Sequence, residues 1–210
     1  MTDEWVFPHS TCERMLANSL LIQPYSFGMN MLNAALLLRS AAFAPDPESS
    51  HAILSFVVFE IVHMLSHAVH LDRNLHEVGI HFCGYLMAAM VYRTLRKRTG
   101  YVFTSINKFL LLMMISVDLI TFFTVRNVYS IATGLSVLGV TVAQFLPKVG
   151  KKKKNLATML IAGTFVLFGL FVIEKTFCSA FLSYNFEFHP FVIEIWGILL
   201  FQLLTNFMCC

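Results

Sequence analysis

The sequence carries little charge for its length. Asp, Glu, Lys and Arg make up 13% of its 210 residues, against roughly 25% in an ordinary soluble domain. That deficit excludes a water-facing surface around a chain of this size. The first residues include Asp3 and Glu4 and lack a basic n-region, so no cleavable signal peptide is read there. The five cysteines contain no C-x-x-C pair, which removes the usual thiolate metal frameworks. There is no internal repeat, and no low-complexity segment beyond one lysine run. That run, Lys151 to Lys154 with Lys148, and a second basic cluster at Arg93, Arg96, Lys97 and Arg98, lack interleaved aromatics and lie between apolar segments. They read as membrane topology signals rather than as a nucleic-acid surface, and no nucleic-acid partner is expected.

What the chain has instead is apolar length. Its hydrophobic fraction is 57% and its mean hydropathy +0.70, with 21 Phe and 11 Met. A membrane-crossing helix needs about 20 mainly apolar residues. Such runs lie at 25–44, 52–71, 76–95, 103–125, 127–147, 155–178 and 188–208. The second and third are separated only by Leu71 to Leu75 and form a tight hairpin; Pro45 and Pro47 break the chain after the first, and Pro147 and Gly150 after the fifth. The expected fold is all-α: a seven-transmembrane-helix bundle over 25–210, preceded by a segment 1–24. Both basic clusters fall in loops separated by two spans, so both face the cytoplasm. The N-terminus is then lumenal or extracellular and the C-terminus cytoplasmic. The expected location is multi-pass integral, in an endomembrane (ER or Golgi) or the plasma membrane, with membrane lipids as partners. Cys209 and Cys210 end the sequence at a membrane face, where they read either as S-palmitoylation sites or as inert interfacial thiols.

Ionisable residues inside spans are costly and tend to face a bundle interior or a wet cavity. In the second span, Glu60, His63, His67 and His70 follow three- and four-residue steps and share one helix face, with Ser66 beside them. His76, Glu77 and His81 open the third span, Asp118 lies in the outer half of the fourth, and His189 opens the seventh, with Glu194 following. Six of the eight histidines thus gather toward one side of the membrane. That is the arrangement a metal site needs, imidazole being a common zinc ligand. The alternative is a set of interfacial histidines satisfying backbone groups, with Asp118 a structural hydrogen-bond partner. Glu174 and Lys175 read as an interfacial pair.

Four stretches carry a family resemblance: Cys12-Glu13; Ser66-His67-Ala68-Val69-His70; Asn74-Leu75-His76-Glu77-Val78; and Val172-Ile173-Glu174-Lys175-Thr176-Phe177-Cys178 followed by Phe188-His189. In order, spacing and topology they resemble the alkaline ceramidase branch of the CREST superfamily of seven-span membrane hydrolases. The family's third-span Asp is His76 here, and the second His of its last H-x-x-x-H falls on Ile193. Of the acidic calcium-binding set near the family's N-terminus, only Glu13 matches.

The resemblance implies a zinc-dependent hydrolase of a lipid amide or ester, such as ceramide. His189 with His67 or His70 would hold zinc, and Ser66 and His76 would orient the water or stabilise the oxyanion. Glu60, His63, His81, Asp118 and Glu194 are the remaining ligand or supporting candidates. It also implies a disulfide between Cys12 and Cys178, both at lumenal ends of apolar segments. The alternative is a non-catalytic scaffold, receptor-like or fusion-type protein on the same fold. A histidine-rich di-iron oxidase fits less well, since it would want about eight ligands on cytoplasmic loops.

Overall fold

The computed structural model describes residues 11–16, 21–69, 73–124 and 130–210, and the side chains of these except at 73–77, 118, 121–124 and 130–136. Seven α-helices run through the described residues: α1 Pro24–Ala42, α2 Pro47–Ala68, α3 Arg73–Thr99, α4 Ser105–Thr124, α5 Ser130–Phe145, α6 Lys151–Ser183 and α7 Ile195–Cys209. A 3-10 turn, Leu146–Lys148, ends α5, and a π-helical turn, His189–Glu194, leads into α7. No strand occurs among the described residues. Among the described residues, three helical segments are long and apolar enough to cross a membrane: Pro47–Ala68, Lys151–Ser183 and His189–Cys209. Shorter apolar stretches lie at Ser105–Val117 and Val137–Lys148.

Local chemistry sets the helix ends. α2 starts five residues earlier than the apolar run, because Asp46 accepts from the Ser49 amide at 2.9 Å and Pro47 occupies the first turn. α3 continues through the basic cluster until Gly100, whose φ of 65° is a left-handed stop that glycine adopts without strain. α6 ends at Tyr184, and Asn185 takes the left-handed conformation at φ 58°. The Arg14 guanidinium donates to the Leu182 carbonyl and to Asn185 Oδ1, satisfying groups that the helix end would leave bare. At about 1.5 Å per residue, the 33 residues of α6 span about 50 Å, more than the roughly 30 Å of a hydrocarbon core.

α1 packs along α2, α2 along α3 and α3 along α5, while α7 closes against α6, α1 and α2. The core joins Leu37, Ile53, Phe56, Met87, Phe145 and Phe207, all fully buried. Helices surrounded by lipid gain little from the hydrophobic effect and associate through close fit and interhelical hydrogen bonds. Gly163 of α6 shows this: a Cβ there would lie 2.5 Å from Leu200 Cδ2, and the Trp196 indole N–H donates to its carbonyl at 2.8 Å. α4 and α6 turn large apolar side chains outward, among them Ile106, Phe109, Leu112 and Phe165.

One end of the bundle is clasped by charge. Arg98 of α3 bonds Asp46, Ser49 and the Met208 carbonyl, and Lys97 pairs with Glu48. The acidic residues after α1 therefore sit beside the basic cluster as its partners. Partial burial raises the Asp46 pKa, but hydrogen bonds from Arg98 and Ser49 outweigh it and bring it from 3.8 to about 2.

The N-terminal segment folds back onto the other end. Glu13 accepts from the amides of Tyr25 at 2.8 Å and Ser26 at 3.0 Å, and from the Ser26 hydroxyl, capping α1. The amides of Ile22 and Gln23 donate to the last carbonyls of α2, at Ala68 and His67. Cys12 and Cys178 lie at disulfide distance, with Cα atoms 5.3 Å apart, as the resemblance implies.

Candidate metal centre

The site begins with the buried stripe of α2. Ile53, Phe56, Glu60, His63 and His67 recur in helical steps, so one face runs from apolar to polar as it approaches the end of the helix. At that end, a ligand atom from each of His63, His67 and Glu194 lies within 4.8 Å of the others, and all three residues are buried. His63 Nε2 and His67 Nε2 are 3.3 Å apart. Glu194 Oε1 is 3.4 Å from His67 Nε2 and 3.8 Å from His63 Nε2.

The π turn brings Glu194 to this place. In an α-helix, residues five apart point about 140° away from each other, at roughly 100° per residue. A turn closed i→i+5 holds them on one face, and Glu194 Oε1 accordingly meets His189 Nε2 at 3.1 Å. Ile193 turns instead into an apolar cluster with Cys12, Leu167 and Phe188. Glu194 thus supplies the donor that the sequence reading looked for at Ile193.

Behind these groups is a supporting layer. His67 Nδ1 lies 2.8 Å from Gln23 Oε1, while the Gln23 amide group donates to Thr11. The Gln23 oxygen is an acceptor, so Nδ1–H donates to it and Nε2 of the neutral ring presents its lone pair to the cluster. His189 Nδ1 lies 2.8 Å from Glu174 Oε1, which also accepts from the Cys12 amide at 2.7 Å. His189 donates to Glu174 and Glu194 together only as the imidazolium. Its ring lies 5.6 Å from that of His67.

The remaining sequence candidates fall as follows. His189 adjoins the cluster through Glu194, and its ligand atoms are outside the set that lies within 4.8 Å. Ser66 is buried, with its hydroxyl bonded to the His63 carbonyl of its own helix. His81 is buried against Tyr85. Glu60 is buried one turn from His63. His70, and the side chains of His76 and Asp118, lie outside the described residues. Cys209 is half-buried and Cys210 exposed at the clasped end.

Two supporting residues escaped the sequence reading. Glu174 looked like the interfacial partner of Lys175, yet it is 4% exposed and faces the interior. The signal was its place one turn before Cys178, which puts both on one helix face. Gln23 lay in the segment before the first apolar run and carried no pattern at all. No family model, curated protein or solved structure matches the chain.

Proposed function

We propose that this chain is a seven-span membrane hydrolase of lipid amide or ester bonds, dependent on one zinc ion held by His63, His67 and Glu194. The observation that carries the reading is the convergence of those three buried side chains. Two imidazoles and a carboxylate are a donor set that hydrolytic zinc accepts. The hydrogen bond from His67 to Gln23 sharpens the fit: in the neutral ring it turns the Nε2 lone pair to a place 3.4 Å from Glu194 Oε1 and 3.3 Å from His63 Nε2, where one cation would serve all three groups. When bound, zinc polarises a carbonyl oxygen and makes water acidic near neutral pH.

The protein's own groups do the rest. Gln23 fixes the His67 ring, and His189, backed by Glu174, fixes Glu194. An apolar cavity of about 450 Å3 lies among α4, α5, α6 and α7, lined by Met114, Leu138, Ile161, Phe165 and Phe201 among others. Phe201 on the cavity wall packs on Phe59 at 5.6 Å and Phe59 on His63 at 6.0 Å, so one buried ring separates the cavity wall from the cluster. This suits a substrate such as ceramide, with its chain in the cavity and its polar head at the histidines.

The disulfide-distance pair and the cluster share one end of the bundle, and the basic residues hold the other. This favours a lumenal or extracellular site, an N-terminus on that side, and seven spans. The bonding of the Ser66 hydroxyl to its own helix favours the second reading, a non-catalytic scaffold in which the cluster serves only as polar glue. Metal analysis of the purified chain separates the two. About one zinc per chain is expected, falling to background in His67→Ala and Glu194→Ala while each variant stays folded by circular dichroism. A folded chain without zinc, even after incubation with the ion, refutes the hydrolase.

A further inference from the structure

The apolar cavity has a charged rim at the basic end of the bundle. On α6 its wall runs from Ala157 to Phe168, a length of about 16 Å at about 1.5 Å per residue. On α7 it reaches Leu204. Lys153 lies one turn before Ala157 on the same face of α6, and Phe207 one turn after Leu204 on α7. The Lys153 ammonium stands 5.2 Å from the Phe207 ring centre, is buried, and has no hydrogen-bond partner among the described residues. Lys148, in the 3-10 turn that ends α5, is placed in the same way, 5.4 Å from the Tyr101 ring centre. An ammonium carries three N–H donors, and a ring face attracts its charge without accepting them as an oxygen would. The acidic residues of this end, Asp46 and Glu48, are held by Arg98 and Lys97. No carboxylate among the described residues forms an ion pair with Lys148 or Lys153.

Both halves of a phospholipid find a complement here. The cavity is apolar and opens to the lipid side, for Phe165 in its wall is 71% exposed. α6 packs chiefly on α7 and touches α5 little, which leaves room for a chain to enter between α5 and α6. A phosphate oxygen accepts from an ammonium in a short, charge-assisted bond, and basic pockets between membrane helices bind acidic head groups. We propose that this cavity holds an acyl chain of an anionic phospholipid, with its head-group phosphate bonded by Lys153 and drawn by Lys148. A zwitterionic head brings its own cation to the rim and loses much of the attraction. A soluble phosphate lacks the chain that would cover the apolar wall. The inference does not depend on a metal at His63, His67 and Glu194. The chain uses the space that the proposed substrate's chain would take, so the two lipids exclude each other.

The test is lipid binding to the full-length chain in detergent micelles, read by native mass spectrometry with lipids of equal chain length. Phosphatidic acid should bind at least about ten-fold more tightly than phosphatidylcholine. Glycerol 3-phosphate, the head without its chains, should fail to displace it even in large excess. Lys153→Met, which keeps an apolar stem over Phe207, should weaken phosphatidic acid by about five-fold or more, while Lys152→Met, at an exposed neighbour, should stay within about two-fold. A phosphatidic acid with a photoreactive group in mid-chain should label the cavity walls, between Ala157 and Phe168 on α6 and between Gly197 and Leu204 on α7. Equal binding of the two phospholipids overturns the proposal, whether or not the variants fold. So does an equal loss in Lys152→Met, the mark of a diffuse basic surface. Displacement by glycerol 3-phosphate, or labelling confined to outward positions of α4 such as Ile106 and Phe109, overturns it as well. None of these readouts depends on zinc, so the lipid site and the hydrolase stand or fall separately.

Discussion

Gln23 is the residue at which orientation of the site can be separated from its ligands. Its side chain meets His67 at Nδ1, and its backbone amide caps α2 at the His67 carbonyl. Under the proposed function, Gln23→Ala should keep the backbone bond, free the ring, and weaken zinc binding by about 10–100-fold. Competition with a chelating dye measures this; unchanged affinity would show that the His67 ring is held by something else. At the opposite end, Asp46 gives a pH signature. Its folded pKa of about 2 lies below the ordinary 3.8, so its contribution is fully present above that ordinary value and is lost as pH falls through about 2. Asp46→Asn keeps a competent helix cap and removes the charge. The variant should melt below the parent in detergent at neutral pH, and the gap should close as the pH approaches about 2. A gap that is constant over that range would show that the Arg98 pairing contributes nothing measurable. The α2 stripe of Glu60, His63 and His67 was legible from spacing alone, because helical periodicity is local. Gln23 was not, because its partner lies on another element.

At the scale of the element, the π turn decides the site. His189 and Glu194 are five residues apart, a spacing that would separate them in an α-helix and that therefore carried no signal for a shared site. The turn also directs Ile193 into the apolar cluster beside Cys12. Exchanging the two residues tests this directly. Ile193→Glu with Glu194→Ile should lose zinc and destabilise the chain, since a carboxylate would then be buried among Cys12, Leu167 and Phe188 without a partner. Retention of zinc in the exchanged protein would mean that the turn relaxes to α-helical register and that position 193 faces the cluster. The helix ends show the same division between local and distant causes. Asp46, Pro47 and Gly100 act on their own helices and were open to sequence reasoning, whereas Glu13 and Arg14 finish α1 and α6 from a segment distant in the chain or set apart from the helix.

Over the whole molecule, the N-terminal segment and the end of α6 act as one strap. Cys12 sits opposite Cys178, its amide holds Glu174, and its carbonyl accepts from the His189 amide at 3.3 Å. Cys12→Ser should therefore lower stability by about 2–4 kcal/mol and, under the proposed function, loosen Glu194 through Glu174 and His189. Thermal melting with and without reductant checks the first part: parent and variant should coincide once reduced. Topology is tested by glycosylation acceptors placed beside Cys12 and beside Lys151 to Lys154; only the former should be modified. By itself the sequence determined an all-helical chain, apolar runs that nearly all became helices within a few residues of their expected bounds, and the polar face of α2. Each of these follows from composition or from a period of 3.6 residues, properties that a chain expresses before any helix meets another. Tertiary structure alone decided that Glu194 rather than Ile193 turns to the histidines, that Glu174 points inward, and that Gln23 borders the site. Those outcomes depend on which helices become neighbours and on a single residue of extra turn, and neither is written in any local pattern.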